Sequence, residues 1–182
     1  MELRGAAAAR QQLFNMQEQL YEFRRTLGVR QMDAAHLLGV ADRTFRDWEK
    51  CYDSPGQPHL INWAYALGHR LALTDRDYNP ELSMSVTLKN GESFALHETR
   101  RLMVPLWRRR KNRRLSQTDL AVLLGSSRAS VQRWEVDGCC QPVVMVAWAR
   151  RLDFSIGLRH VAEEPGLWLG LGMRFAGKNE RG

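Results

Sequence analysis

The segment LLGSSRASVQRWE occupies residues 123–135, and a similar segment, LLGVADRTFRDWE, occupies residues 37–49. Aligned without a gap at an offset of 86 residues, positions 20–49 and 106–135 are identical at ten of thirty places. The identical pairs are Leu20/Leu106, Arg24/Arg110, Gln31/Gln117, Asp33/Asp119, Ala35/Ala121, Leu37/Leu123, Leu38/Leu124, Gly39/Gly125, Trp48/Trp134 and Glu49/Glu135.

The similarity continues after a shift of one residue. WAYALGHRLAL, which begins at Trp63, corresponds to WARRLDFSIGL, which begins at Trp148. An internal repeat of this length indicates two homologous units, roughly residues 14–74 and 100–162.

In the second unit, apolar residues have helical spacing up to a glycine. Leu120, Leu123 and Leu124 fall on one face of a helix. Gly125 follows them, in the position where a left-handed residue ends a helix. Ser127 can then cap a further helix, so the pattern predicts a helix, a short turn and a second helix.

The predicted helix starts differ between the units. Ser116 precedes Gln117 as a favourable N-cap, with Asp119 three residues after the serine. The first unit has Arg30 and Ala41 at its two capping positions, so we expect its helices to be less well capped.

Between the units, LSMSVTLKNGESFAL at residues 82–96 alternates apolar and polar residues and contains an Asn-Gly turn signal. A two-residue loop would pair Leu88 with Ser93, whereas a loop over residues 90–92 would pair Leu88 with Phe94. We favour the longer loop because it keeps apolar residues on one face of the hairpin.

The sequence therefore predicts a mainly α fold with a few short β-strands and two tandem helix-turn-helix domains. The predicted parts are an N-terminal helix-turn-helix domain (1–74), a linking β-hairpin (75–99) and a C-terminal helix-turn-helix domain with terminal strands (100–182). The alternation at 167–175 predicts these terminal strands, which we expect to close the two domains together. Residues 1–13 either extend the first helix or are loose.

The chain has 182 residues and a formal net charge of +7, and arginine supplies 23 of its 27 basic residues. A basic balance often accompanies nucleic-acid binding, and guanidinium groups suit phosphates and guanine edges. GC-rich codons would give the same arginine bias.

Other classes of protein find little support in the composition. The cysteines and histidines have no metal-ligand spacing, so we expect no metal and no cofactor. No leader for export precedes the first unit, and the apolar runs are too short to span a bilayer. We expect a protein of the bacterial host cytoplasm, with no membrane contact and no small-molecule substrate.

The second helix of unit two is predicted to be amphipathic. Val131 and Trp134 share one face, while Ala129, Gln132 and Arg133 lie almost opposite. A recognition helix contacts base edges in the major groove with such a polar ridge. Arginine can donate two hydrogen bonds to guanine, and glutamine can bond adenine.

The corresponding helix of unit one has Phe45 and Trp48 facing inward and Arg43, Arg46 and Asp47 facing outward. Asp47 could accept a hydrogen bond from cytosine N4 or form an ion pair with Arg43, and we favour the ion pair. The simpler interpretation of either ridge is a solvated helix face.

The segment WRRRKNRR at residues 107–114 places six cations next to the predicted helix-turn-helix of unit two. Such a run favours phosphate contacts, although a solvated surface or a localisation signal has the same composition. Residues 100–135 hold ten cations and two acids, whereas residues 20–50 hold six and five. We expect unit two to bind the DNA backbone more strongly.

These residues resemble the lambda-repressor-like (Xre-type) family, whose motif runs Gln, acid, Ala, two apolar residues, Gly and Ser before a recognition helix ending in Trp-Glu. Unit two matches this motif, and unit one departs from it at Arg30 and Ala41. The resemblance implies base contacts by Asp42, Arg43, Thr44, Arg46, Arg128, Ala129, Gln132 and Arg133. Phosphate contacts are expected from Arg30, Gln31, Arg108, Arg109, Arg110, Lys111, Arg113, Arg114, Ser116, Gln117 and Ser127.

Small basic chains with two such units also resemble the immunity repressors of mycobacteriophages. That resemblance implies a transcriptional repressor that binds a double-stranded DNA operator, keeps a prophage in lysogeny and blocks superinfection. A DNA-binding antitoxin, or the DNA-binding part of a recombinase or transposase, is the alternative. We do not expect an enzyme, because the acids Asp75, Asp77, Glu81, Glu92 and Glu98 form no obvious catalytic set.

The two ridges differ chemically. At the aligned pair Asp47 and Arg133 the charge is reversed, so the two helices cannot recognise the same half-site. We therefore expect one monomer to bind one asymmetric site with a helix from each unit. The alternative is that one motif is a relic and the chain dimerises on a palindrome.

Overall fold

The computed structural model describes residues 2–75 and 90–161, and each repeat in it consists of four helices followed by one strand. The elements of the first repeat are α1 (Glu2–Thr26), α2 (Gln31–Leu38), α3 (Asp42–Glu49), α4 (Gln57–Ala66) and β1 (His69–Asp75). Those of the second repeat are α5 (Phe94–Asn112), α6 (Gln117–Leu124), α7 (Arg128–Asp137), α8 (Pro142–Arg151) and β2 (Phe154–His160). The prediction of a mainly α fold with a few short strands is confirmed.

Each helix-turn-helix has the predicted boundary. Gly39 and Gly125 end α2 and α6 in the left-handed conformation, with φ values of 66° and 61°. A residue with a Cβ rarely adopts this conformation, which explains why both repeats place glycine there. α3 starts at Asp42 and α7 at Arg128, three residues after each glycine.

The predicted difference in capping between the repeats is also confirmed. The hydroxyl of Ser116 accepts from the Asp119 N–H at 3.1 Å and that of Ser127 accepts from the Ser130 N–H at 3.1 Å. Arg30 and Ala41, at the same places in the first repeat, make no side-chain capping hydrogen bond.

The predicted linking hairpin is wrong in its second half. The turn at residues 90–91 is present, but the chain then enters α5 at Phe94 instead of a strand. The Ser93 hydroxyl accepts from the Leu96 N–H at 3.3 Å, and this helix cap overrides the short alternation of apolar residues. The second unit therefore begins before residue 100, within the range assigned to the linker.

Two other sequence predictions concern strands and the N-terminus. The first half of the hairpin (82–89) and the terminal alternation (167–175) lie outside the described residues. Residues 2–13 extend α1.

No helix in ranges 2–75 and 90–161 is both long and apolar enough to cross a bilayer.

The two repeats share one core and are joined by a two-stranded sheet. β1 pairs with β2 in antiparallel orientation, with Ala72 opposite Gly157. α1 packs against α8, and α4 packs against α5, so the first and fourth helices of each repeat contact those of the other. The largest fully buried side chains come from both repeats and include Leu13, Leu20, Phe45, Trp63, Leu102, Leu106, Met145 and Trp148. β1 and β2 thus join the two repeats, at positions that the sequence analysis did not predict to be strands.

Candidate nucleic-acid interface

The second helix of each helix-turn-helix presents polar side chains away from the core. In α7, Val131 is completely buried, whereas Arg128, Ala129, Gln132 and Arg133 are all exposed. This arrangement is the amphipathic pattern that the sequence predicts, with four candidate base-contacting residues available on one helix.

The equivalent helix α3 has the same arrangement with different chemistry. Phe45 is completely buried, while Asp42, Arg43 and Arg46 are exposed and Thr44 is half-buried. We call these four residues and Asp47 the α3 ridge. The four exposed residues of α7 form the α7 ridge.

The two ridges differ in charge. The α3 ridge combines Arg43 and Arg46 with Asp42 and Asp47, so its formal charges cancel. The structure describes both Arg43 and Asp47, and their side chains do not form the ion pair that we favoured, so that prediction is wrong. The α7 ridge carries two arginines and no acid, which suits the polyanionic surface of DNA better.

A buried ion pair fixes the C-terminal end of α7 relative to α5. Arg110 is 6% exposed, and its Nε and Nη2 donate to the two Glu135 carboxylate oxygens at 2.6 and 3.0 Å. Its Nη1 donates to the Leu115 carbonyl at 2.6 Å. The prediction that Arg110 contacts phosphate is therefore wrong, because the helical period turns this guanidinium inward, away from solvent.

The first repeat contains the same cluster. Arg24 donates to both carboxylate oxygens of Glu49, at 2.5 and 3.0 Å, and to the Val29 carbonyl at 2.6 Å. Three of the ten identities between the repeats are thus an arginine, a glutamate and a glutamine, and the glutamate contacts the other two. Sequence analysis did not single out either glutamate, although identical charged residues at a constant offset were a usable signal.

The glutamine of each cluster begins the first helix of the motif. Gln31 Nε2 donates to Glu49 Oε2 at 2.6 Å, and Gln117 Nε2 donates to Glu135 Oε2 at 2.8 Å. Each amide nitrogen carries a second hydrogen, and both side chains are partly exposed. The glutamate therefore orients the amide at the helix N-terminus, where an anion is favoured.

Most of the remaining residues predicted to contact phosphate, Arg108 among them, also make contacts within the protein. Several make contacts within the protein: Arg30 with Asp33 at 2.8 Å, Arg113 with Asp153 at 2.6 Å, Arg109 over the Phe154 ring at 4.5 Å and Lys111 over the Trp107 ring at 3.9 Å. Arg108 and Arg114 are exposed. The basic segment 107–114 is therefore partly structural, and fewer of its cations than predicted are available to DNA.

The two capping serines have local hydrogen bonds. The Ser116 hydroxyl and its backbone N–H both donate to Asp119 Oδ2, at 2.7 and 2.8 Å. These bonds lower the pKa of the Asp119 carboxyl, the side-chain bond more than the backbone bond. Ser127 lies 3.0 Å from the Ser130 hydroxyl. Both serines are exposed, and their hydroxyls cap the starts of α6 and α7.

The predicted roles of the tryptophans agree with their burial. Trp48 is 4% exposed and contacts Trp63, with ring centroids 6.4 Å apart. Trp134 is partly buried against the core. Both belong to the packing of the helix-turn-helix and not to a stacking surface for bases.

Comparisons with known proteins give no direct support for any functional class of protein. No protein-family model, curated protein or solved structure matches the chain. Inference about function therefore depends on the two ridges, the clusters behind them and the charge of the chain.

Proposed function

We propose that this protein is a transcriptional repressor that binds a specific double-stranded DNA operator through α3 and α7. The observation that carries this proposal is the repeated construction of the two motifs. In each, a buried arginine of the preceding helix pairs with a glutamate on the second helix of the motif, a glutamine of the first helix bonds the same glutamate, and the second helix presents a polar ridge to solvent.

The chemistry of the ridges suits base recognition. Arg133 can donate to guanine O6 and N7, and Gln132 can accept from adenine N6–H and donate to adenine N7 in the major groove. The side chain of Ala129 offers a methyl group for contact with thymine. Gln117 is held by Glu135 at the start of α6, which supports a bond from its amide to a phosphate beside that groove.

The proposal extends to the biological setting. A basic chain with two unlike recognition helices fits a prophage immunity repressor of the host cytoplasm, which binds an asymmetric operator as a monomer. The support for a monomer is that both helix-turn-helix motifs belong to one packed body, joined by β1 and β2.

Selection of bound duplexes from a random library by the full chain tests the proposal. We expect enrichment of one sequence, a one-to-one complex by mass measurement and repression of a reporter whose promoter carries that sequence. Failure to enrich any duplex would refute sequence-specific binding.

Two controls separate the alternatives. A variant in which Arg128, Gln132 and Arg133 are all alanine should lose the enrichment but remain folded, because all three side chains are exposed. Metal-dependent nicking of plasmid would instead indicate a recombinase or transposase. Co-purification with a neighbour-encoded toxin would indicate an antitoxin.

A further inference from the structure

The two repeats are related by a local two-fold axis that passes through the sheet. At the offset of 85 residues that aligns Trp63 with Trp148, β1 and β2 are equivalent from end to end. The residue equivalent to Ala72 is then Gly157, and these two residues lie opposite each other in the antiparallel ladder. An antiparallel pair of equivalent strands that is centred on equivalent residues has two-fold symmetry.

The packing of helices obeys the same symmetry. α1 is equivalent to α5, and α4 is equivalent to α8. The contact of α1 with α8 therefore corresponds to the contact of α5 with α4, and both are present. Each repeat thus uses the same surface to contact the other, as the subunits of a symmetric dimer do.

Hydrogen bonds to the sheet repeat the relationship with substituted residues. Gln12 of α1 donates to the Ile156 carbonyl in β2 at 2.7 Å. Arg101 of α5 donates to the Leu71 carbonyl in β1, and Leu71 is the residue equivalent to Ile156. The acceptor carbonyls are thus equivalent, whereas the donors are about one helical turn apart, because the residue equivalent to Gln12 is Glu98.

From this symmetry we infer that the operator consists of two half-sites in inverted orientation whose base sequences differ. This inference rests on the proposed function and adds the relative direction of the half-sites to it. A two-fold axis that relates α3 to α7 reverses the direction in which the second helix meets the duplex, so a direct repeat would misalign one ridge.

The unlike base sequences follow from the unlike ridges. Thr44 of the α3 ridge corresponds to the similar Ser130, and the other four positions hold Asp42 and Arg128, Arg43 and Ala129, Arg46 and Gln132, and Asp47 and Arg133. None of the four pairs is chemically similar, so the half-sites share orientation without sharing sequence. The operator then looks asymmetric although the protein that binds it has approximate two-fold symmetry.

A variant with two identical ridges tests the inference. The substitutions Asp42→Arg, Arg43→Ala, Arg46→Gln and Asp47→Arg copy the α7 ridge onto α3. All four side chains lie at the surface or are half-buried, so the variant should fold. The reciprocal variant, with Arg128→Asp, Ala129→Arg, Gln132→Arg and Arg133→Asp, is a second test should the first variant misfold.

Each variant is used to select duplexes from the random library. We expect the selected site to become a palindrome with two copies of one half-site. That duplex should bind about tenfold or more tightly than the same two half-sites in direct orientation at equal spacing, the effect of losing at least one bidentate contact.

Selection of a direct repeat, or equal affinity for the two orientations, would overturn the inference. So would selection of a single half-site without its partner. If the unmodified chain enriches no duplex, the proposed function itself fails, and this result is distinguishable because it arises before either variant is used.

Discussion

Arg110 and Glu135 form a doubly hydrogen-bonded ion pair at the same repeat position as Arg24 and Glu49. The contact distances in the two pairs agree to within 0.1 Å, being 2.6 and 3.0 Å in one pair and 2.5 and 3.0 Å in the other. Buried ion pairs of this geometry are costly to break, because the remaining partner is left buried and unpaired.

Arg110→Met should therefore lower the free energy of unfolding by about 3–5 kcal/mol, the typical cost of removing one partner of a buried pair. Urea denaturation followed by tryptophan fluorescence measures this change. Arg128→Ala is the control, because this exposed arginine should change stability by less than about 0.5 kcal/mol. A stable Arg110→Met protein that bound all DNA more weakly would instead support a phosphate contact.

Removal of a helix cap should affect the second repeat more than the first. Ser116→Ala deletes the hydroxyl of a capping box and should cost about 1 kcal/mol in unfolding free energy. Arg30→Ala, at the equivalent position, removes an exposed ion pair with Asp33 and should lower stability by less than Ser116→Ala does. Equal losses in the two variants would show that the cap does not stabilise α6.

Two exposed arginines of the second repeat should differ in their effect on specificity. Arg133→Ala should reduce discrimination at one or two base pairs by about 1–3 kcal/mol. Arg114→Asn, chosen because asparagine tolerates the positive φ of 56° at this residue, should weaken binding to all sequences alike. Competition binding with specific and random duplexes separates the two effects, and an identical response of both variants would contradict this assignment of roles.

The salt dependence of binding should be moderate for a chain with this many arginines. Because Arg110 is buried and Arg113 is paired with Asp153, we expect roughly four or five phosphate contacts, and a slope of log K against log salt near −4. A fluorescence titration over a range of salt concentrations gives this slope. A value shallower than about −2 would show that the basic segment does not lie on DNA.

Acid should destabilise the junction between the repeats through Glu98. Burial raises the pKa of this carboxyl, but Arg101 and Arg70 lower it by more, so the pKa in the folded protein is below its ordinary value. The stabilisation is present above the unfolded pKa of about 4.3 and is lost as the pH falls through the folded pKa.

The comparison of unmodified protein with Glu98→Gln tests this pH dependence. The variant should be less stable at pH 7, because it removes the carboxylate that pairs with buried Arg70 and with Arg101, and its stability should fall less steeply in acid. Glu18→Gln, an exposed substitution, is the control. If the stability of the unmodified protein and that of Glu98→Gln fell in parallel as the pH was lowered, the Glu98 ion pairs would not be the cause of the acid destabilisation.

The helix-turn-helix motifs could be predicted because local chemistry determines them. Gly39 and Gly125 end helices for steric reasons, and Ser116 starts one through its hydroxyl, so each signal lies within a few residues of its effect. The strands were harder to place. The apolar alternation ending at Phe94 was outweighed by the Ser93 cap, while β1 and β2 depend on pairing between residues far apart in sequence.

For the charged residues of the site, too, contacts between residues far apart in sequence could not be predicted. A run of cations at 107–114 predicts an exposed basic segment, but only the partner Glu135, 25 residues from Arg110, reveals that this arginine is buried. The ridges on α3 and α7 were predictable because they depend on the helical period alone. The internal contacts of Arg109 and Arg113 involve β2 and the turn before it, so they required the tertiary structure.

The pairing of β1 with β2 within one chain makes the association of the two repeats independent of protein concentration. Units on separate chains must first associate. At low protein concentration, the occupancy of a site that needs two units therefore rises with the square of the protein concentration. Here each unit is present near the other at a high effective concentration set by the chain itself. Occupancy of a site that both units contact would rise linearly with copy number, without a dimerisation threshold and without exchange of units between molecules.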